Sequence, residues 1–266
     1  MFPPMAPKIV SDDAPFIELP GGEKLNVLTE ELRKKFPELS PQIQRKTIRK
    51  LEAYLQDVYA KPQRNEQEKG ARYLLIDSTS WQLAQCLRHS NPTRIAEAVA
   101  PLTFLVESHN KFHHGKKVDV QPALYLCVAL SRVEGEEDRA INLFNKTISH
   151  LYDNGSPPAR NLIWARANMA RLYRNMGRVA DASVQEKLTR EWILGRPYFM
   201  PPSEIKDLLA DDVGTGSHIL DHPDIIRLFD SINQIGPNEA LIHNNSVLVQ
   251  YNQKEPTNLG LNLRYS

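Results

Sequence analysis

Residues 162–183, LIWARANMARLYRNMGRVADAS, decide the fold. Apolar residues recur every three or four positions from Leu162 to Met176, Gly177 interrupts them, and Val179-Ala180-Asp181-Ala182 starts a second run. A period near 3.6 broken by one glycine predicts two helices joined by a tight turn. Ala182, small and early in the second helix, permits the close approach that such a pair needs. Two more stretches upstream have the same layout. Ala123 to Val133 precedes Glu134-Gly135 and then Asp138-Arg139-Ala140-Ile141. Trp81 to Arg88 precedes Ser90-Asn91-Pro92 and then Ile95-Ala96-Glu97-Ala98-Val99. Ala98, Ala140 and Ala182 are spaced by 42 residues (98 to 140, 140 to 182). Such spacing predicts antiparallel helical hairpins that stack and share a core, an all-α architecture over residues 71–195.

The third hairpin carries Met169, Ala170, Tyr173, Gly177 and Ala182 at spacings that resemble a tetratricopeptide repeat. The second adds Gly135, Ala140 and Phe144 in the same register. The resemblance implies a TPR-like solenoid whose first helices line a concave, protein-binding groove. Departures from the pattern are specific: Ser131 stands where Tyr173 stands one repeat later, Glu186 stands where Phe144 stands one repeat earlier, and the first turn lacks glycine. The period also exceeds the usual 34 residues. A second resemblance, to fungal proteins that carry such helices and sometimes a MYND-type zinc finger, rests on short stretches. These are Glu186-Lys187 to Trp192, Arg196-Pro197-Tyr198-Phe199-Met200-Pro201, Leu208-Leu209 and Asp221-His222-Pro223. The cysteine cluster of such a finger is missing, so no metal site carries over.

The flanks read differently. Prolines, Asp12-Asp13 and the Leu19-Pro20-Gly21-Gly22 turn predict an extended arm over residues 1–23. In residues 24–70 a short helix from Thr29 to Phe36 stops at Pro37. A second helix starts at the Ser40 cap with Pro41 in its first turn, and runs to about Ala60 with Arg45, Lys46, Arg49 and Lys50 on its outer side. Lys61 to Gly70 is polar and expected to be a loop. Residues 196–236 are expected to cap the array with one short helix that begins at a Ser203 cap, a loop holding Gly214 and Gly216, and a helix from Asp224 to Ile235. Residues 237–266 suggest a small hairpin around Asn244-Asn245 or an extended tail.

Composition excludes several classes. With 33 Lys+Arg against 32 Asp+Glu, the formal charge is +1, which argues against nucleic acid as the default partner. Hydrophobic residues at 41% are enough for a core, and no apolar run approaches a membrane span or a signal peptide. Two cysteines, Cys86 and Cys127, are too few for a disulfide-stapled fold or a four-thiolate zinc site, and the expected compartment is intracellular, cytoplasmic or nuclear.

No residue pattern names a reaction. G-x-S-x-G, P-loop and G-x-G-x-x-G motifs are missing. Both cysteines sit among leucines and read as buried small hydrophobes. His218, Asp221 and His222 approach a metal-ligand spacing, but His222 precedes proline, so local backbone bonding is the expectation and no metal or cofactor is expected. His113-His114 beside Lys116-Lys117 reads as a solvated linker. The expected binding residues lie on the basic edge of the hairpins: Arg171, Arg174 and Asn175, spaced to share a face, with Arg132 extending it from the preceding repeat. Guanidinium groups there suit an acidic peptide, unless Asp181, Glu186 and Glu191 pair with them. The sequence therefore predicts a protein-binding adaptor module more than an enzyme. The alternative is a small-molecule enzyme or binder with a pocket between helices.

Overall fold

The computed structural model of the chain describes residues 16–18, 24–26, 36–62, 64–112, 119–153, 158–210 and 215–234. The expected Thr29–Phe36 helix, apart from Phe36, the His113–Lys117 linker and the 237–266 hairpin or tail lie outside these residues. The chain divides into two compact units, Met1–Asn154 and Gly155–Ser266, a division that falls within the 71–195 region.

The first unit opens with a two-stranded antiparallel pair, β1 (Phe16–Glu18) and β2 (Lys24–Asn26), with Ile17 opposite Leu25. The extended arm thus pairs with residues beyond position 23. A 3₁₀ turn at Phe36–Glu38 leads into helix α1 (Pro41–Ala60), and the Ser40 hydroxyl accepts from the Ile43 N–H at 3.5 Å, the expected cap. Helix α2 (Glu66–Arg88) starts earlier than the sequence suggested, which corrects the Lys61–Gly70 loop. The reason is a capping pattern: Asn65 Oδ1 accepts from the Glu68 N–H at 2.8 Å, and the Glu68 carboxylate accepts from the Arg64 N–H at 2.8 Å. After the Ser90–Arg94 turn, with its cis Asn91–Pro92 bond, and a 3₁₀ segment at Ile95–Ala98, come α3 (Val99–Phe112), α4 (Val120–Leu130) and α5 (Glu137–Asp153). Each helix packs on its neighbour in sequence, as a helical repeat requires.

The second unit holds α6 (Ala159–Asn175), α7 (Val179–Leu194), α8 (Pro202–Leu209), α9 (Thr215–Leu220) and α10 (Pro223–Gln234). The turn between α6 and α7 is a Schellman motif. Arg178 N–H donates to Tyr173 C=O at 2.8 Å, Gly177 N–H donates to Arg174 C=O at 2.9 Å, and Gly177 adopts φ +74°. Gly135, 42 residues earlier, adopts φ +84°. Helix α8 starts after Pro201 with no side-chain cap, so Ser203 lies inside its first turn and not at its cap. Gly216 belongs to α9 and not to a loop: a Cβ there would sit 1.9 Å from Leu209 O, so only glycine lets α9 approach the end of α8. From α10, Ile225 and Phe229 are buried, whereas Ile226 is exposed.

The core follows the 42-residue spacing. Ala98, Ala140 and Ala182 are all fully buried. Ala123 and Ala165, Leu130 and Leu172, and Leu151 and Ile193 are buried pairs at the same spacing. Thr147 and Thr189 match even in bonding, each buried hydroxyl donating at 2.8 Å to the carbonyl four residues back. Apart from the short β pair the described chain is all-α, and the matching positions 42 residues apart are compatible with a helical repeat.

Candidate functional site

A groove in the first unit is the site with the most distinctive chemistry. Helix α2 packs against α1 and α3, and one side of it carries Tyr73 and Leu74, Asp77 and Ser78, and Trp81 at spacings of three and four. Leu105 and His109 of α3 and Asp119, Gln121 and Pro122 at the start of α4 complete the lining of an open groove of about 810 Å³. Leu74 is 54% exposed at its edge, large for an apolar residue in a helix packed on both sides. The Trp81 indole is held by a stack on Tyr125, with centroids 5.5 Å apart and planes 15° apart. Arg88 in turn lies over the Tyr125 ring at 4.2 Å.

The electrostatics are acidic. Burial pushes the Asp77 carboxyl above the usual carboxylate range, the Asp119 charge adds to the rise, and His109 opposes it. The Tyr73 phenol is also raised, by burial first and by Asp77 next, against a side-chain hydrogen bond with Ser108. Among the described residues no lysine or arginine forms an ion pair with Asp77 or Asp119. Two carboxylates and two aromatic rings lining one groove suit a cation, which gains from the charges and from the rings together. Sequence reading did not single out this group. Its one trace is the row at 73, 77 and 81, which interrupts the apolar pattern of α2 with Asp77 between two aromatic residues.

The arginine face behaves otherwise. Arg174 Nε and Nη2 donate to the two carboxylate oxygens of Glu186 at 2.7 and 2.8 Å, and Glu186 is only 3% exposed. Glu186 holds the Arg174 guanidinium even more firmly protonated than usual. Arg171 donates to Asn168 Oδ1 at 3.0 Å, Arg178 pairs with Asp181 at 2.7 Å, and Arg166 donates to Gln185 at 3.2 Å. Asn175 is exposed at the end of α6, and Arg132 is exposed in the turn after α4. Arg171, Arg174 and Asn175 are thus close in the second unit, but the fork of Arg174 is taken by an internal carboxylate.

The 42-residue spacing points to the reason. Arg132 and Arg174 are 42 residues apart, as are Phe144 and Glu186. In the first unit Phe144 fills the buried position and Arg132 faces solvent. In the second, Glu186 occupies that position and Arg174 neutralises it.

The remaining candidates fall into structural roles. Cys86 and Cys127 are buried; burial pushes the Cys86 thiol up to about 12 and raises Cys127 as well, so neither is a thiolate nucleophile at neutral pH. His222 Nδ1 accepts from the Asp224 N–H at 3.3 Å, the local backbone bond expected of it. Among the described residues no group of three or more His, Cys, Asp and Glu is placed to hold a metal ion, and no helix is long and apolar enough to cross a membrane. No protein-family model matches the chain, and neither does any curated protein or solved structure.

Proposed function

We propose that the chain is a protein-interaction module of tetratricopeptide-like hairpins, and that the groove between α2, α3 and α4 receives a peptide segment bearing a lysine or arginine. The expectation of an acidic peptide on the arginine face gives way to this reading because Arg174 already holds Glu186. The observation that carries the proposal is Asp77: a partly buried carboxyl that the fold disfavours as an anion, beside a second carboxylate and two aromatic rings. A bound cation offsets that penalty, and the open groove with Leu74 at its rim gives the flanking apolar residues of an extended segment a surface.

A fluorescence-anisotropy screen of short peptides tests this, with each lysine compared with norleucine at the same position. A lysine peptide that binds at least about tenfold tighter than its norleucine analogue, and loses that margin in Asp77→Asn, supports the proposal. Peptides that bind without regard to the cation, or whose preference survives Asp77→Asn, sink it. The other reading, a small-molecule site, would be favoured by free amines that bind as tightly as peptides do, because an 810 Å³ groove is within the size of ligand pockets.

A further inference from the structure

We propose a second site, independent of the groove: a pocket between α1 and the Ser90–Arg94 turn that binds a phosphomonoester through Arg45 and Arg49. The pocket has a volume of about 310 Å³ and is lined by Arg45, Arg49, Glu52, Asn91 and Arg94 among others. Its frame is fixed by a buried amide. Gln44, 1% exposed, donates from Nε2 to Phe36 C=O at 3.1 Å and Leu39 C=O at 3.0 Å, and accepts from the Asn91 N–H at 2.9 Å on Oε1. The Ser90 hydroxyl lines the same pocket, its single O–H shared between Leu87 C=O and Pro92 C=O, each 2.9 Å away. The turn and the helix are therefore held at a set separation, which is what a pre-formed site requires.

The three arginines differ. Arg94 is committed, with Nε and Nη2 on Glu97 at 2.7 and 2.5 Å, and its cation is further stabilised by Glu52. Arg45 and Arg49 stand one helical turn apart on the same face, and among the described residues neither forms an ion pair. Like charges four residues apart repel, a penalty that a shared anion removes. A tetrahedral phosphate dianion offers enough oxygens to face two guanidinium forks at once, whereas one carboxylate satisfies a single fork. The pocket volume is at the small end of ligand sites, so the carrier of the phosphate is compact, either a small phosphomonoester or a phosphorylated side chain.

The test uses the full chain and two probes at constant ionic strength, glycerol phosphate and a phosphoserine tetrapeptide, with acetate and chloride as controls. Calorimetric binding of either probe, with a melting temperature that rises with its concentration, supports the site, and the tighter probe identifies the carrier. Arg45→Gln and Arg49→Gln, both on exposed positions, each weaken binding about tenfold, and Arg49→Lys recovers only part of the loss because the fork is missing. Phosphate effects no larger than those of acetate or chloride, or binding that persists in the Arg45→Gln, Arg49→Gln double variant, overturn the proposal. Circular dichroism of each variant separates loss of the site from loss of the fold.

Discussion

Asp77 pits stability against recognition at a single residue. Its folded pKa is raised, so the folded chain holds this proton more tightly than the unfolded chain does. That contribution favours folding below the unfolded carboxyl value and is lost as pH rises through the folded one, so at neutral pH the charge is a net penalty. Asp77→Asn is therefore expected to raise stability at pH 7 by about 0.5 kcal/mol, allowing for the screening of a group only partly buried, or about 1–2 °C in melting temperature. The gain should vanish as the pH falls below the ordinary carboxylate range, where the folded and the unfolded chain both hold the proton. Thermal unfolding of the two proteins at pH 3.5 and 7 checks both halves, and a variant less stable than the parent at pH 7 would contradict the electrostatics. The linked effect on binding has the same origin: a cationic peptide favours ionised Asp77, so its affinity rises with pH through the folded carboxyl pKa. The cysteines give a second residue-scale prediction. With Cys86 near 12 and Cys127 raised also, iodoacetamide at pH 8 should leave both unmodified in the folded protein and alkylate both in denaturant, as counted by intact mass.

At the scale of the element, the α6–α7 hairpin turns on the Arg174–Glu186 pair. Removing the guanidinium alone leaves a carboxylate that is 3% exposed without its partner, so Arg174→Ala is expected to cost about 3 kcal/mol. The equivalent position in the α4–α5 hairpin shows the apolar solution, Phe144, fully buried, with Arg132 free of any such duty. Hence Arg174→Ala combined with Glu186→Phe should recover most of the loss, and denaturant unfolding of the single and double variants checks the sign. A double variant no more stable than Arg174→Ala would mean that the two hairpins do not share packing at this position. The pair also shows where sequence reading stopped. The hairpins were legible because Ala140, Ala182, Gly135 and Gly177 each need a particular packing or backbone geometry, and such needs repeat with the fold. Glu186 appeared only as a departure from that pattern, since nothing local says that a residue 12 positions earlier neutralises it. The Asn65–Glu68 cap was readable in principle, and it was missed because the charged run from Lys61 masks the start of α2. The groove was not legible. Tyr73, Asp77 and Trp81 belong to one helix, but Asp119 and His109 join them through the packing of α2, α3 and α4.

For the whole molecule, the division into two units determines how these local effects spread. Each unit has a core of its own: Leu51, Leu87, Leu102, Leu130 and Phe144 in the first, Leu162, Met169, Ile193, Ile205 and Ile225 in the second, all nearly or fully buried. Separate cores distribute stability over separate blocks, so parts of the chain are expected to open below the free energy of global unfolding. The helices that line the groove belong to one block and the Arg174–Glu186 pair to the other. Arg174→Ala should therefore speed native-state hydrogen exchange at the core amides of α6 and α7 by up to about a hundredfold, the equivalent of 3 kcal/mol, while leaving those of α4 and α5 within about threefold of the parent. Lysine-peptide affinity should stay unchanged in the same variant, because the groove keeps its lining. If instead exchange rises equally in both blocks, the two cores open as one cooperative unit, and stability lost at Glu186 would be felt at Asp77 in the other block.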